Sequence, residues 1–97
     1  MIYVKIHVNS MDRILAACDE EVLGTTLSEG KMRFHVSDGF YNGELVSEET
    51  FIDRTKSVAI MNLVGNRTVE LAIREGLVDP GAVITIQGVK HAQTVVM

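Results

Sequence analysis

Hydrophobic and polar side chains alternate strictly at the start of the chain. Every second residue from Ile2 to Val8 is apolar, and Tyr3, Lys5 and His7 lie between them. This period of two predicts a strand with one buried face. The polar segment "NSMD" follows, and "RILAACD" resumes the apolar pattern. Together these segments predict a β-hairpin with a loop of about four residues.

A second clean alternation occurs in "KMRFHVS", which predicts another strand with Lys31, Arg33 and His35 on its polar face. The preceding segment, residues 19–27, has no clear period. Its early acidic residues are typical of a short helix that Gly24 would end. The segment "DGFYNGE" after the strand predicts a loop.

Two stretches carry helical signals. Ser47 is a suitable N-cap, and an apolar stripe through Phe51 and Val58 predicts a helix that packs on the sheet. The apolar run "VAIMNLVG" favours continuation of this helix. A second helix is predicted over about residues 67–75, with Gly76 as the residue of positive φ that ends it.

The remaining segments predict a turn and two more strands. "DPG" suits a type II turn centred on Pro80 and Gly81, and "AVITIQ" and "AQTVVM" have the composition of strands. Because strands cluster rather than alternate with helices, the fold class is predicted as α+β: a two-layer sandwich with a mostly antiparallel sheet of about five strands and two main helices on one face. The predicted interior consists of Ile2, Val4, Ile6, Ile14, Ala16, Met32, Phe34, Val36, Val69, Ile73, Ile84 and Ile86.

Composition narrows the class of protein. A chain of 97 residues predicts one domain spanning residues 1–97. The net charge of −4 argues against nucleic-acid binding through bulk positive charge. The single cysteine, Cys18, favours a reducing compartment, and the start of the chain lacks a signal-peptide pattern. We therefore expect a cytoplasmic protein without a membrane partner.

Four segments of the chain resemble one family in the same order. They are "CDEEVLG", "FYNGELV", "NLVGNRTVELAIREGLV" and "GVKHAQ". They resemble a small archaeal family known as domain-of-unknown-function family 424. The resemblance implies an archaeal cytoplasmic protein with an α+β fold. It implies no established activity and no catalytic residues.

The polar face of the predicted sheet is the first candidate site. If the first strand and "KMRFHVS" are near neighbours, their polar side chains share one surface. Cations beside a stacking ring on an open sheet are a common way to hold single-stranded RNA. The alternative is an ordinary solvated sheet face. The nucleic-acid-binding candidates are Tyr3, Lys5, His7, Lys31, Arg33 and His35.

The glycine-containing entry to the second helix is the second candidate. Free N–H groups at a helix start suit a phosphate or a carboxylate, which makes Gly65, Asn66, Arg67 and Thr68 anion-binding candidates. No complete phosphate-loop or dinucleotide motif is present. The alternative is a structural cap, with Asn66 as the N-cap.

A third candidate is a ligand pocket lined by Asn62, His91 and Gln93. His91 and Gln93 are two residues apart, so on a strand they share a side. The alternative is a histidine bonded to a loop backbone. Cys18 lies beside three acidic residues, which raise a thiol pKa, so it is interpreted as a buried apolar residue. No spacing typical of metal ligands is present.

These observations predict a non-enzymatic binding module for RNA or a ribonucleoprotein, without a cofactor and without a metal. One alternative is a small-ligand-binding protein or enzyme with a pocket near His91. Another is an interaction or oligomerising domain that uses the terminal strand "TVVM" as an open edge. The sequence sets no oligomeric state.

Overall fold

The structure, a computed structural model, describes residues 1–95. In that range the strands are β1 (Ile2–Val8), β2 (Arg13–Asp19), β3 (Thr26–Glu29), β4 (Met32–His35), β5 (Glu44–Val46), β6 (Ile60–Val64), β7 (Ile84–Ile86) and β8 (Val89–Val95). The helices are α1 (Asp38–Tyr41), α2 (Glu48–Thr55) and α3 (Asn66–Arg74). Short 3-10 segments occur at Glu20–Val22 and Pro80–Ala82.

Six strands form the main sheet, in the order β5-β1-β2-β6-β8-β7, and β3 and β4 form a separate two-stranded sheet. β2 and β6 are parallel, and the other pairs are antiparallel. α2 and α3 cover one side of the main sheet, which we call the helix side. The β3–β4 hairpin and α1 cover part of the other, the hairpin side. The predicted α+β class is confirmed, with six rather than about five strands in the main sheet.

Both sides of the main sheet bury apolar side chains because the central strands β2 and β6 are covered on both faces. On the helix side, Phe51 of α2 and Val69 of α3 are both fully buried. On the hairpin side, Val36 and Tyr41 pack over β2. A fully buried side chain of this size contributes about 1.5–3 kcal/mol, so each layer is held to the sheet by several such contacts.

Local signals read from the sequence fix several element ends. Residues 9–12 connect β1 and β2, as predicted. The Oγ atom of Ser47 accepts a hydrogen bond from the backbone nitrogen of Thr50 at 3.2 Å, so this N-cap is confirmed. Gly76 has a φ of +73° and follows Glu75, the C-cap of α3, which confirms its role in ending that helix.

The prediction for "VAIMNLVG" is wrong. This segment contains strand β6, which lies inside the sheet between β2 and β8. A strand that is buried on both faces has a continuous run of apolar residues in its sequence. Such a run lacks the period of two that marks a strand with one buried and one exposed face.

Three shorter predictions are also corrected. "DGFYNGE" contains helix α1 rather than only a loop, and residues 26–29 form β3. Gly81 does not have the positive φ that a type II turn requires, and the segment is a 3-10 turn in which Asp79 accepts from the Gly81 nitrogen at 2.9 Å.

Two residues of the predicted interior are exposed. Met32 is 43% exposed because β4 lies outside the main sheet, and Ile84 is 46% exposed on edge strand β7. The other predicted interior residues are buried or half-buried. In the described part of the chain, no helix is both long enough and apolar enough to span a membrane.

Candidate functional site

A polar row crosses the hairpin side of the main sheet at one level. Lys5 of β1 pairs with Ala16 of β2, Ala16 with Asn62 of β6, and Asn62 with Gln93 of β8. Because side chains at paired positions point to the same face, Lys5, Asn62 and Gln93 all project to the hairpin side. We call these three residues the polar row.

Asn62 lies in the middle of the polar row and is held by two side chains. The hydroxyl of Tyr41 donates to Asn62 Oδ1 at 2.7 Å. The Nε2 atom of His91 lies 3.1 Å from the same oxygen. A carboxamide oxygen can only accept hydrogen bonds, so His91 carries its proton on Nε2 and leaves Nδ1 as an acceptor.

Burial sets the protonation of both groups that hold Asn62. It lowers the pKa of His91 from its ordinary value of 6.5, which favours the neutral ring. The ring of Phe34 packs against His91 with ring centroids 4.7 Å apart and contributes to that burial. Burial also raises the pKa of the Tyr41 hydroxyl, which therefore remains a donor.

The three pocket candidates are brought together on one face. Asn62 and Gln93 are cross-strand partners, and His91 lies two residues from Gln93 on the same side of β8. The interpretation of His91 as bonded to a loop backbone is wrong, because its partner is a side chain on a neighbouring strand. Grooves of about 310 and 330 Å³ lie on the helix side, and none of these three residues lines either of them.

The candidates on β1 lie partly under helix α1. Lys5 Nζ donates to the carbonyl of Gly39 at 2.9 Å, and His7 Nε2 lies 2.9 Å from the carbonyl oxygen of Phe40. The His7 ring also stacks on Phe40, with ring centroids 4.6 Å apart. Tyr3 is half-buried in the same cluster. These side chains therefore hold α1 against the sheet and are only partly open to solvent.

The candidates Lys31, Arg33 and His35 lie elsewhere. The expectation that they share a sheet face with Lys5 is wrong, because β4 pairs with β3 in the small sheet. Phe34 points toward the main sheet, and Arg33 and His35 alternate with it and point outward from the hairpin. Both groups of cations are thus on the hairpin side of the molecule, on two separate layers.

The anion-binding candidates surround a carboxylate of the protein itself. Asp19 accepts from the backbone nitrogens of Arg67 at 3.1 Å and of Thr68 at 2.8 Å, and from the Thr68 hydroxyl at 2.7 Å. Gly65, with a φ of +114°, lies against the Asp19 side chain. The helix start therefore binds an anion, as its geometry allows, and that anion is internal.

Asn66 is not the N-cap of α3. The N-cap position belongs to Gly65, which has no side chain to contribute. Asn66 instead bridges to the β7–β8 turn: its Nδ2 donates to the Gly88 carbonyl at 3.1 Å, and its Oδ1 accepts from the Lys90 nitrogen at 2.9 Å. Asp19 supplies the capping bonds from a position 48 residues away from Arg67.

Charge pairing differs between the two sides of the sheet. The ion pairs formed between described residues are Arg54–Glu44, Lys56–Asp53, Arg67–Glu48 and Lys90–Glu70, all on the helix side. Within residues 1–95, Lys5, Lys31 and Arg33 on the hairpin side take part in none of them, and neither do Arg13 and Arg74 on the helix side. Carboxylates are present there too; Glu29 accepts from the Gln87 nitrogen, and Asp38 from the Asn42 side chain.

Cys18 is fully buried, which confirms its interpretation as a buried apolar residue. Burial, followed by the nearby carboxylates Asp19 and Glu21, raises its pKa to about 12. A thiol with this pKa remains protonated and unreactive. Among the described residues, no group of three histidine, cysteine, aspartate or glutamate side chains could hold a metal ion.

Strand β8 leaves part of one edge open. Residues 84–86 of β7 pair only with residues 89–91, so residues 92–95 have no partner on that side within the described chain. Thr94 and Val95 of the segment "TVVM" are on this edge, and Val96 and Met97 lie outside the described residues. Pairing with another chain at this edge stays a prediction.

Two residues of the site were missed by sequence reasoning. Tyr41 lies in a segment interpreted as a loop, and Asp19 in one without a clear period. Nothing local indicates that Asp19 caps a helix 48 residues further along the chain.

The arrangement can be compared with known proteins. Residues 6–97 match the family described as a protein of unknown function, DUF424. The chain belongs to the DUF424 family. No curated protein matches it. A crystal structure of an uncharacterized conserved protein from the archaeon Methanopyrus kandleri is similar, with a TM-score of 0.81 and 22% sequence identity over 99% of this chain and 91% of that chain. At this identity the likeness shows that the DUF424 fold is shared.

Proposed function

We propose that this DUF424 protein is a non-enzymatic binding module that holds single-stranded RNA on its hairpin side. The observation that carries the proposal is the asymmetry of charge pairing. Among residues 1–95, four of the six cations on the helix side form ion pairs with carboxylates, whereas none of Lys5, Lys31 and Arg33 on the hairpin side does. Lys31 and Arg33 are exposed and open to phosphates, and Lys5 also donates to the Gly39 carbonyl. Cations grouped on one side of an acidic chain allow local binding without bulk positive charge.

The distribution of aromatic rings supports the same side. Tyr3, Phe34 and Phe40 are half-buried in the hairpin-side cluster, and Phe51 is fully buried on the helix side. Half-buried rings keep an edge or a face in contact with solvent, where a base can stack. The sequence alone places one ring, Tyr3, on this surface, and the fold brings two more to the same side.

The proposal places the protein in the cytoplasm, where single-stranded RNA is available. The single buried cysteine is compatible with a reducing compartment. Among residues 1–95, the one thiol, Cys18, is buried and protonated and therefore gives the polar row no reactive thiolate. The proposed activity is therefore binding rather than chemistry.

A matched pair of charge reversals tests the proposal. Arg33→Glu on the hairpin side and Lys56→Glu on the helix side change the net charge equally, and both residues are exposed. Fluorescence anisotropy with a short labelled RNA at several salt concentrations gives affinities and salt slopes. We expect Arg33→Glu to weaken binding about tenfold and to reduce the salt slope by about one. We expect little change with Lys56→Glu. Equal losses in the two variants, or no RNA binding by the wild type, would contradict the proposal.

A further inference from the structure

The amide group of Asn62 has one end fixed and the other end free. Its Oδ1 atom accepts from Tyr41 at 2.7 Å and from His91 at 3.1 Å. No hydrogen bond joins its Nδ2 atom to another residue of the described chain. No fully buried side-chain nitrogen or oxygen lacks a partner in residues 1–95, so Nδ2 of the half-buried Asn62 is not closed off from solvent.

The two bonds to Oδ1 decide what Asn62 can recognise. A free asparagine amide offers one donor side and one acceptor side, and it pairs with adenine by using both. Here the acceptor side is occupied by Tyr41 and His91, and only the two N–H bonds of Nδ2 remain for a ligand. Asn62 is therefore a donor-only group, held in one orientation by neighbours that cannot release it without leaving a buried hydroxyl unpaired.

The surroundings suit a flat heteroaromatic molecule. Gln93 lies directly across from Asn62 on the next strand and is exposed, so a ligand at Asn62 can also reach the Gln93 amide. The stacked His7–Phe40 pair borders the same side of the sheet on β1. A planar ring laid on this surface would present its polar edge to the amides and its apolar faces to neighbouring rings.

We infer that Asn62 selects the base that the RNA places on the polar row, by donating to acceptor atoms on its edge. This inference rests on the proposed RNA binding. Uracil and guanine carry carbonyl oxygens that accept such a bond. The acceptors N7 and N1 of adenine each lie beside its N6 amino group, a donor for which the occupied Oδ1 atom of Asn62 offers no acceptor. The site is therefore expected to prefer uracil or guanine over adenine.

The first experiment compares oligouridylate and oligoadenylate of equal length, bound to the wild type and to Asn62→Asp. Aspartate keeps the acceptors for Tyr41 and His91 and removes the amide donor, so we expect the fold to be preserved. Its added charge weakens the binding of both RNAs alike. The ratio of the two affinities therefore reports base recognition by residue 62 separately from the effect of charge. We expect the wild type to prefer uridylate by a factor of roughly 2 to 12, the range for one net hydrogen bond. We expect that ratio to fall to about one in Asn62→Asp.

Asn9→Ala is the control, since Asn9 lies in the loop between β1 and β2 and bonds only within that loop. The Asn9→Ala variant should retain the wild-type ratio of the oligouridylate and oligoadenylate affinities. A wild type that binds both RNAs without preference, or an Asn62→Asp variant that keeps the preference, would overturn the inference and leave the proposed RNA binding intact.

A second measurement separates this inference from the proposed function. Free uridine is titrated into ¹⁵N-labelled protein, and the side-chain NH₂ resonances of Asn62 are followed, identified by their loss in Asn62→Asp. Movement of these resonances with uridine but not with adenosine supports the inference even if longer RNA fails to bind. Resonances that stay in place with both nucleosides overturn it.

Discussion

The Oδ1 atom of Asp19 lies 2.8 Å from the backbone nitrogen of Thr68, so a carboxylate at the end of β2 caps the first turn of α3. Both residues are buried, at 5% and 0% exposure. A negative group at this position satisfies N–H groups that the helix leaves unpaired and faces the positive end of its dipole. The contact joins a central strand of the sheet to the main helix packed on it.

Asp19→Ala should lower the free energy of unfolding by about 2–4 kcal/mol, because two backbone N–H groups and a buried hydroxyl lose their acceptor. Urea denaturation followed by circular dichroism measures this. Glu20→Ala is the matched control, since Glu20 is exposed and adjacent in the chain; its effect should stay within about 0.5 kcal/mol. Similar stabilities for the two variants would show that the cap is dispensable.

Gly65→Ala should destabilise the protein by more than about 2 kcal/mol for two reasons. Gly65 has a φ of +114°, and an added Cβ would lie 2.3 Å from Cγ of Asp19. Gly39→Ala is the comparison, because a Cβ there would meet its nearest atom, Ser37 Oγ, at 3.8 Å. That variant should remain within about 1 kcal/mol of the wild type. The same unfolding assay applies, and a stable Gly65→Ala protein would contradict the described geometry.

Some of this architecture follows from the sequence and some does not. Alternation predicts β1 and β4, and the Ser47 and Gly76 signals locate helix ends, because each depends on nearby residues alone. The pairing partner of a strand does not follow from nearby residues. The pattern of β4 fixes which side chains share a face, but it does not say that the neighbour is β3 rather than β1.

The candidate site likewise combines features that nearby residues predict with features that depend on how distant segments pack. The spacing of His91 and Gln93 predicts a shared face, and the structure shows that the third pocket candidate, Asn62, is the cross-strand neighbour of Gln93. The bond from Tyr41 to Asn62 spans 21 residues and arises only when α1 folds onto the sheet. The fixed orientation of the Asn62 amide, on which base selection depends, therefore could not be predicted from the sequence.

The stability of the protein should decline as the pH falls below the ordinary histidine value. The folded-state pKa of His91 is lowered by burial from 6.5, so the unfolded chain binds its proton first. Neutral His91 makes its full contribution to the stability of the folded protein above about pH 6.5. This contribution is lost as the pH falls from that value toward the folded-state pKa. His91→Gln removes this titration. The difference in the free energy of unfolding between about pH 7.5 and about pH 5.5 should therefore be smaller in this variant than in the wild type. An identical pH dependence in wild type and variant would refute the assignment.

Cys18 should resist thiol reagents in the native protein. Its side chain is fully buried and its pKa is raised to about 12, so reaction requires the chain to open. Titration with a chromogenic disulfide reagent should show no rapid thiol in native buffer and one thiol in concentrated urea. Rapid, complete reaction of the native protein would mean that the layer covering Cys18 is not closed.

The most direct test of RNA binding is a map of where a short uridine-rich RNA contacts the protein, from backbone amide shifts on titration into ¹⁵N-labelled protein. We expect shifts clustered at Lys31, Arg33, Asn62 and Gln93 on the hairpin side, with the amides of α2 unchanged. Shifts confined to α2 and α3, or no shifts at any RNA concentration, would contradict the proposal.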